Sequence, residues 1–193
     1  MAQKHGMDIQ CQTWRSRMIF CIQASNPRFQ NITNYNDECL SEAIESVFPL
    51  NTEHAILMWN HISIPLSYKY DISYMVNDIL IIINAIQKQN VGNMKIHWLP
   101  DTFRSDWLIE WNSDEVQINA QWECTMGHLE FILNQKNSIR LSKVDFVNEW
   151  KEVLGVLIRR LKHCGYDKSK IKGMKDLVEQ YEKIKGSGIF YKD

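Results

Sequence analysis

Between Glu115 and Trp122 every even-numbered residue is apolar and every odd-numbered one is polar. A side-chain period of two marks a strand with one face buried and the other in water. Just upstream, Trp107, Ile109 and Trp111 alternate with Leu108 and Glu110, and the link Asn112-Ser113-Asp114 has turn chemistry. The two segments are therefore expected to form a hairpin. Met94 to Trp98 precedes them. Beyond Gly127, Leu129, Phe131 and Leu133 alternate again, and a polar turn at Asn134 to Asn137 leads to Ile139 and Leu141. The whole run predicts an antiparallel meander of about five short strands.

At Ser142 the period changes. Ser142 is placed to cap a helix, with Asp145 three residues on in capping-box position. Phe146, Trp150, Val153, Leu154, Leu157, Ile158 and Leu161 then recur at helical spacing, Asn148, Glu152, Arg159 and Lys162 take the opposite face, and Gly165 is placed to end the helix. A helix of this kind covers one face of a sheet. Earlier in the chain, Asp37 is expected to cap a helix whose Leu40, Ala43, Ile44, Val47 and Phe48 share a face and which Pro49 stops. Asp71 to Gln89 reads as a buried helix. Its core Ile79 to Ile83 would also suit a buried strand, and length favours the helix. It is too short, and too interrupted by Asn77, Asp78 and Asn84, to span a membrane. Met174, Leu177, Val178, Tyr181 and Ile184 mark a last helix closed by Gly186, after which Ile189-Phe190-Tyr191 is expected to dock back as a short strand.

These elements predict an α+β fold, an antiparallel sheet meander packed by long amphipathic helices. The order can be read as two strand-then-helix halves, lobes 12–90 and 91–193 of one domain spanning 1–193. A chain of 193 residues suffices for one well-buried core or two small lobes sharing one. Apolar content of 45% with 23% charged residues is ordinary for a globular chain. Seven Trp is high; large rings filling the space between sheet and helices account for most, and one or two at the sheet edge could instead anchor a partner.

Cys11, Cys21, Cys39, Cys124 and Cys164 are odd in number, scattered and never spaced C-x-x-C. That argues against a disulfide framework and for a reducing compartment, with each thiol expected to be a small buried hydrophobe. The first ten residues are polar and expected to fray, and no apolar stretch of signal-peptide type appears there. A cytoplasmic location is expected on both counts.

The net charge of −1 conceals an asymmetry. Residues 1–135 hold 8 Lys/Arg and 15 Asp/Glu, a net −7, and residues 136–193 hold 14 and 8, a net +6. The acids Asp37, Glu38, Glu42 and Glu45 fall on the outer side of the first helix, and Glu110, Asp114, Glu115 and Glu123 fall around the hairpin. Solvated surface explains such residues in most proteins. As a functional surface, they would offer an acidic face to a basic partner. The basic end, with Arg159, Arg160, Lys162, Lys168, Lys170, Lys172 and Lys175, could contact nucleic acid, but acids interrupt it and no stacking motif accompanies it.

No G-x-S-x-G, P-loop, G-x-G-x-x-G or H-E-x-x-H is present. His54 and His61 are seven apart, and His97, His128 and His163 have no Cys or carboxylate at zinc-ligand spacing. No catalytic residue, metal or cofactor is therefore expected.

The order of elements resembles a bacterial immunity protein of a polymorphic toxin system such as contact-dependent growth inhibition. The pieces that carry the resemblance are Ile62-Ser63-Ile64-Pro65-Leu66-Ser67-Tyr68-Lys69-Tyr70-Asp71 leading into a helix, Trp107-Leu108-Ile109-Glu110-Trp111, and Val116 to Trp122. They continue with Asp145-Phe146-Val147-Asn148-Glu149-Trp150, Cys164-Gly165-Tyr166 and Gly188-Ile189-Phe190-Tyr191. The likeness covers about residues 54–193 and consists of aromatic and helix-start positions. It implies a cytoplasmic inhibitor that binds one toxin C-terminal domain, usually a nuclease, and blocks it without catalytic residues of its own. The strand-then-helix order also resembles, less closely, the whirly fold that binds single-stranded DNA.

Overall fold

Alternation along Phe103–Trp111 and Glu115–Thr125 builds the centre of the larger of two antiparallel sheets. The computed structural model describes residues 19–185. Strands β1 (Phe20–Gln23), β2 (Ala55–Trp59) and β3 (Ile62–Leu66) form a three-stranded sheet in that order. Strands β4 (Gly92–Trp98), β5 (Phe103–Trp111), β6 (Glu115–Thr125) and β7 (Ser138–Ser142) form a four-stranded meander. Helix α1 (Leu40–Val47) lies between β1 and β2. A π-helical turn (Tyr68–Ile72) follows β3 and runs into α2 (Ser73–Lys88). After β6 come α3 (Glu130–Gln135) and, beyond β7, α4 (Lys143–Glu149), α5 (Lys151–His163) and α6 (Met174–Lys183). The fold is α+β with antiparallel sheets, as expected, and each sheet is followed by a long helix. Gly186 and Ile189-Phe190-Tyr191, like the polar first ten residues and Cys11, lie outside the described residues.

The expected fifth strand at Leu129 to Leu133 is a helix instead, α3, so the meander has four strands. Side chains take over the hydrogen bonds that a strand would have supplied to the end of β6. Asn134 accepts from the Trp122 N–H and donates to its carbonyl, both at 2.9 Å, and the Glu130 carboxylate accepts from the Thr125 N–H. The alternation was a helical spacing in disguise: Leu133 is buried while Phe131 is 80% exposed. Gly127 and His128, both with positive φ, turn the chain into α3.

Capping differs between helices. Ser142 caps α4 as expected, its hydroxyl accepting from the Asp145 N–H at 3.0 Å. Asp37 does not cap α1. The N-cap is Cys39, and Glu42 reaches back to the N–H groups of Glu38 (2.7 Å) and Cys39 (3.3 Å). The carboxylate of Asp37 is already taken by Asn34, Ser46 and Tyr166. The helix expected from Ser142 to Cys164 is interrupted at Trp150, which separates α4 from α5 and leaves the rings of Phe146 and Trp150 both against Phe20, at 5.4 and 6.5 Å. Gly165, at φ +80°, closes α5: its N–H donates to Lys162 and that of Tyr166 to Leu161, the reciprocal pair of a left-handed C-terminal cap. The Ile79 to Ile83 run is helical, within α2.

One core runs through both halves. Trp59 joins them: its ring lies 5.2 Å from that of Trp107 and 5.1 Å from that of Trp122, and its indole N–H donates to the Lys136 carbonyl at 2.8 Å. Asn60, in the left-handed β2–β3 turn, adds bonds to the carbonyls of Lys136 and Ser138. The six Trp among the described residues are all buried, so filling space is their role and none is free to anchor a partner. Of the described thiols only Cys164 is buried; Cys21, Cys39 and Cys124 are half-buried, which corrects the expectation of fully buried cysteines.

Candidate functional site

The eight carboxylates singled out from the sequence fall into two groups. The first sits on and before α1. Glu42 is exposed, and the N–H of Glu38 foremost holds its carboxyl below the usual range. Glu45, three residues on, is half-buried. Burial raises its carboxyl; Lys69 opposes the rise, while Glu42 and Asp37 add to it. Lys69 Nζ donates to the Glu45 carbonyl at 2.6 Å. Glu38 is exposed, whereas Asp37 is turned partly inward and serves structure, accepting from the Tyr166 hydroxyl at 2.5 Å. Burial and that bond push the Tyr166 phenol up to about 12.

This contact brings the two charge-biased parts of the chain together. The Lys172 N–H donates to the Glu38 carbonyl at 3.0 Å, and Cys39 and Lys172 pair as an isolated bridge. Lys168, Lys170 and Lys172 thus belong to the segment that lies against the start of α1. The net −7 and net +6 along the chain do not form separate poles there.

The second group lies on the outer face of the four-stranded sheet. Glu110 on β5 and Glu115 on β6 flank a hollow of about 240 Å³ that also includes Gln117 and Arg140. Arg140 lies 3.7 Å from Glu115. Asp114 occupies the hairpin turn, where its carbonyl accepts from the Lys143 N–H. Glu123 points outward at the other end of β6, about 26 Å away at roughly 3.3 Å per residue. No hydrogen bond or ion pair links the α1 acids to the sheet acids among the described residues.

The same sheet face carries a contact that the sequence pattern did not signal. Strand register sets Asp106 opposite His97. Asp106 accepts from Lys95 Nζ at 3.1 Å and lies 2.5 Å from His97 Nδ1. Desolvation would raise its carboxyl, and the bonds from Lys95 and His97 outweigh it, leaving Asp106 below the usual value. No hydroxyl or thiol nucleophile bonds to this His–Asp pair among the described residues, and no group of three His, Cys, Asp or Glu side chains there is arranged to hold a metal ion. Arg104, two positions from Asp106 and bonded to Asp101, shares the outer face.

A cleft of about 520 Å³ was also missed. It lies between the π-helical turn with the start of α2 on one side and the β4–β5 loop on the other. Tyr70, Tyr74, Leu99 and Arg104 line it. Tyr70 and Tyr74 are four residues apart and lie off the buried face made by Ile72, Met75, Val76 and Ile79, which was the only available sign that they are exposed. Thr102 forms part of the lining, and its hydroxyl donates at 2.5 Å to Asp71, a buried carboxylate that also accepts from the Ser67 N–H at 2.7 Å. Burial raises the Asp71 carboxyl; Thr102, Ser67 and His54 oppose the rise.

The basic C-terminal residues are spread over α5, the following loop and α6. Arg160 bonds Asn26 and lies over the Phe29 ring at 4.4 Å, Lys170 pairs with Asp167, and Lys175 pairs with Glu179. No helix among the described residues is long and apolar enough to cross a membrane. No protein-family model, curated protein or solved structure matches this chain.

Proposed function

We propose that this protein is an immunity protein, which binds a cognate antibacterial toxin domain one to one and neutralises it by occlusion. The observation that carries the reading is the acidic group on and just before α1, where Glu42 and Asp37 lie close enough to raise the Glu45 carboxyl and Lys69 is the cation that offsets it. Like charges held at close range cost stability, and such a cost is expected where a surface serves a partner. A nuclease domain that grips a phosphate backbone supplies the complementary positive surface. The resemblance carried by residues 54–193 points the same way. The protein acts in the cytoplasm, on a toxin that has entered the cell, and needs no cofactor.

The test begins with the neighbouring reading frame. If it encodes a large secreted protein, its C-terminal domain should be toxic when expressed alone and harmless when this protein is co-expressed. Association rates against ionic strength then locate the charge. Reversal of Glu42 and Glu45 should slow association and flatten the salt dependence, with a small loss of stability because Glu42 also caps the N–H groups of Glu38 and Cys39. Reversal of Asp114 and Glu115 measures the sheet face in the same way. If neither pair alters the slope, the acids are plain solvated surface. The alternative is a nucleic-acid-binding module using exposed Lys162, Lys168, Lys172 and their neighbours. Salt-sensitive oligonucleotide binding, with no protein partner neutralised, would replace the immunity reading by that one.

A further inference from the structure

We propose that β4 is a dimerisation edge, pairing antiparallel with β4 of a second copy of this chain and joining two four-stranded sheets into one. The bonds along the meander identify its free groups. The Asn112 N–H donates to the Glu115 carbonyl and the Phe103 N–H to the Pro100 carbonyl. With the strand register, these bonds set the odd-numbered residues Ser105 to Trp111 against Gly92, Met94, Ile96 and Trp98 as hydrogen-bonded pairs. Asn93, Lys95 and His97 therefore direct their backbone N–H and C=O groups away from the sheet, and no group among the described residues bonds them. Such a row selects its occupant by chemistry, because an extended backbone is what matches it.

The other three sheet edges are each blunted. Glu149 accepts from the Ile22 N–H on β1 at 2.9 Å, Pro65 removes a donor from β3, and Asn60 donates to the Ser138 carbonyl on β7 at 2.9 Å. β4 runs for seven residues without proline or bulge. A lysine on an edge ordinarily repels a second strand, but Asp106 on β5 offsets Lys95 from 3.1 Å. A two-fold axis makes such a row complementary to itself, so a second copy supplies what this edge lacks. The side chains then choose the register. β4 carries no acid, and pairing centred on Lys95 would set that residue against itself, which like charges disfavour. With the axis moved to Met94, Asn93 of each copy lies opposite Lys95 of the other, its amide oxygen an acceptor for the ammonium. This register also lets half-buried Met94 meet its counterpart across the axis and covers Val91, which stands 71% exposed beside β4.

Sedimentation equilibrium of the full chain, carried into the hundred-micromolar range, should show a monomer–dimer equilibrium. Lys95→Pro should weaken it at least about tenfold, because it removes an outward N–H while leaving the β4–β5 ladder intact. Asn93 is exposed, so its variants should keep the wild-type melting temperature. Asn93→Lys should weaken the dimer, and Asn93→Asp, opposite Lys95, should tighten it severalfold. Met94→Cys should cross-link between copies on oxidation with diamide, since a non-hydrogen-bonded antiparallel pair brings its Cα atoms to about 4.5 Å. The wild-type chain, with its own cysteines, is the control. A monomer at every concentration would overturn the proposal and leave the edge to a strand of another protein. A dimer indifferent to the Lys95 and Asn93 variants, or one that Met94→Cys does not cross-link, would overturn it as well. Toxin neutralisation is read separately by co-expression, so either reading can fail while the other stands.

Discussion

The inner and outer faces of the four-stranded sheet are made by alternate residues of the same strands, and they have opposite fates. On β5 the inner set Phe103, Ser105, Trp107, Ile109 and Trp111 is buried, and the outer set Arg104, Asp106, Leu108 and Glu110 is half-buried or exposed. Inward, rings of Trp59, Trp98, Phe103, Trp107 and Trp122 lie 5.1 to 6.4 Å from their neighbours, mostly edge to face. Among the described residues, no side chain or backbone group bonds the indole N–H groups of Trp98, Trp107 and Trp122 or the Ser105 hydroxyl. Outward, Lys95, His97 and Asp106 satisfy one another. One face packs rings against one another; the other keeps its polar groups paired and available to solvent.

The largest expected effect tests that division. Trp107→Ala should cost about 3–5 kcal/mol, because the cavity would open among four aromatic neighbours. Its sequence neighbour on the outer face, Leu108→Ala, should stay within about 0.5 kcal/mol. Chemical denaturation of both variants reads the difference, and comparable losses would mean that the outer face is packed against something.

Adding a single carbon at the edge of the inner face should cost less. A Cβ on Gly92 would stand 2.3 Å from the Trp111 ring, its cross-strand partner. Gly92→Ala is expected to destabilise by roughly 1–3 kcal/mol through overpacking. A neutral result in the same denaturation assay would show that the indole can swing aside.

Where the sheet passes into α4, Ser142→Ala should cost on the order of 1 kcal/mol, since the hydroxyl accepts from the Asp145 N–H. Lys162→Ala, on an exposed helical position, is the control. Equal losses would leave the cap without energetic meaning.

The smallest effect concerns pH. The Asp71 carboxyl is raised in the folded protein by burial, so the fold binds its proton more tightly than the unfolded chain does. The stability from that proton is fully present below the ordinary value of 3.8 and is lost as pH rises through the raised one. Asp71→Asn lacks this titration, and its amide can still accept from Ser67 and face the Thr102 hydroxyl. Melting temperatures of variant and wild type compared between about pH 3 and pH 7 should therefore diverge in favour of the variant as pH rises. A gap that moves the other way would show that the bonds from Thr102 and Ser67 outweigh burial.

Local chemistry made much of this protein legible from its residues. The period of two in Glu115 to Trp122 assigned the inner and outer faces of β6 correctly, because β-strand geometry leaves each side chain only two directions. Ser142 and Gly165 marked the ends of the α4–α5 segment, because a cap needs only a hydroxyl or a left-handed backbone a few atoms away. What failed depended on partners distant in the chain. Leu129 to Leu133 became a helix because Asn134 and Glu130 could bond the end of β6, and Asp37 lost its capping role to Asn34, Ser46 and Tyr166. The candidate site divided along the same line. The sequence alone determined which residues carry charge and which strands alternate. Only the tertiary structure decided that Asp37 turns to the Tyr166 hydroxyl, that Lys172 lies against Glu38, and that Tyr70, Tyr74 and Leu99 meet in one cleft. Charge and period are properties of the chain, whereas adjacency comes from burying one core between two sheets and their helices.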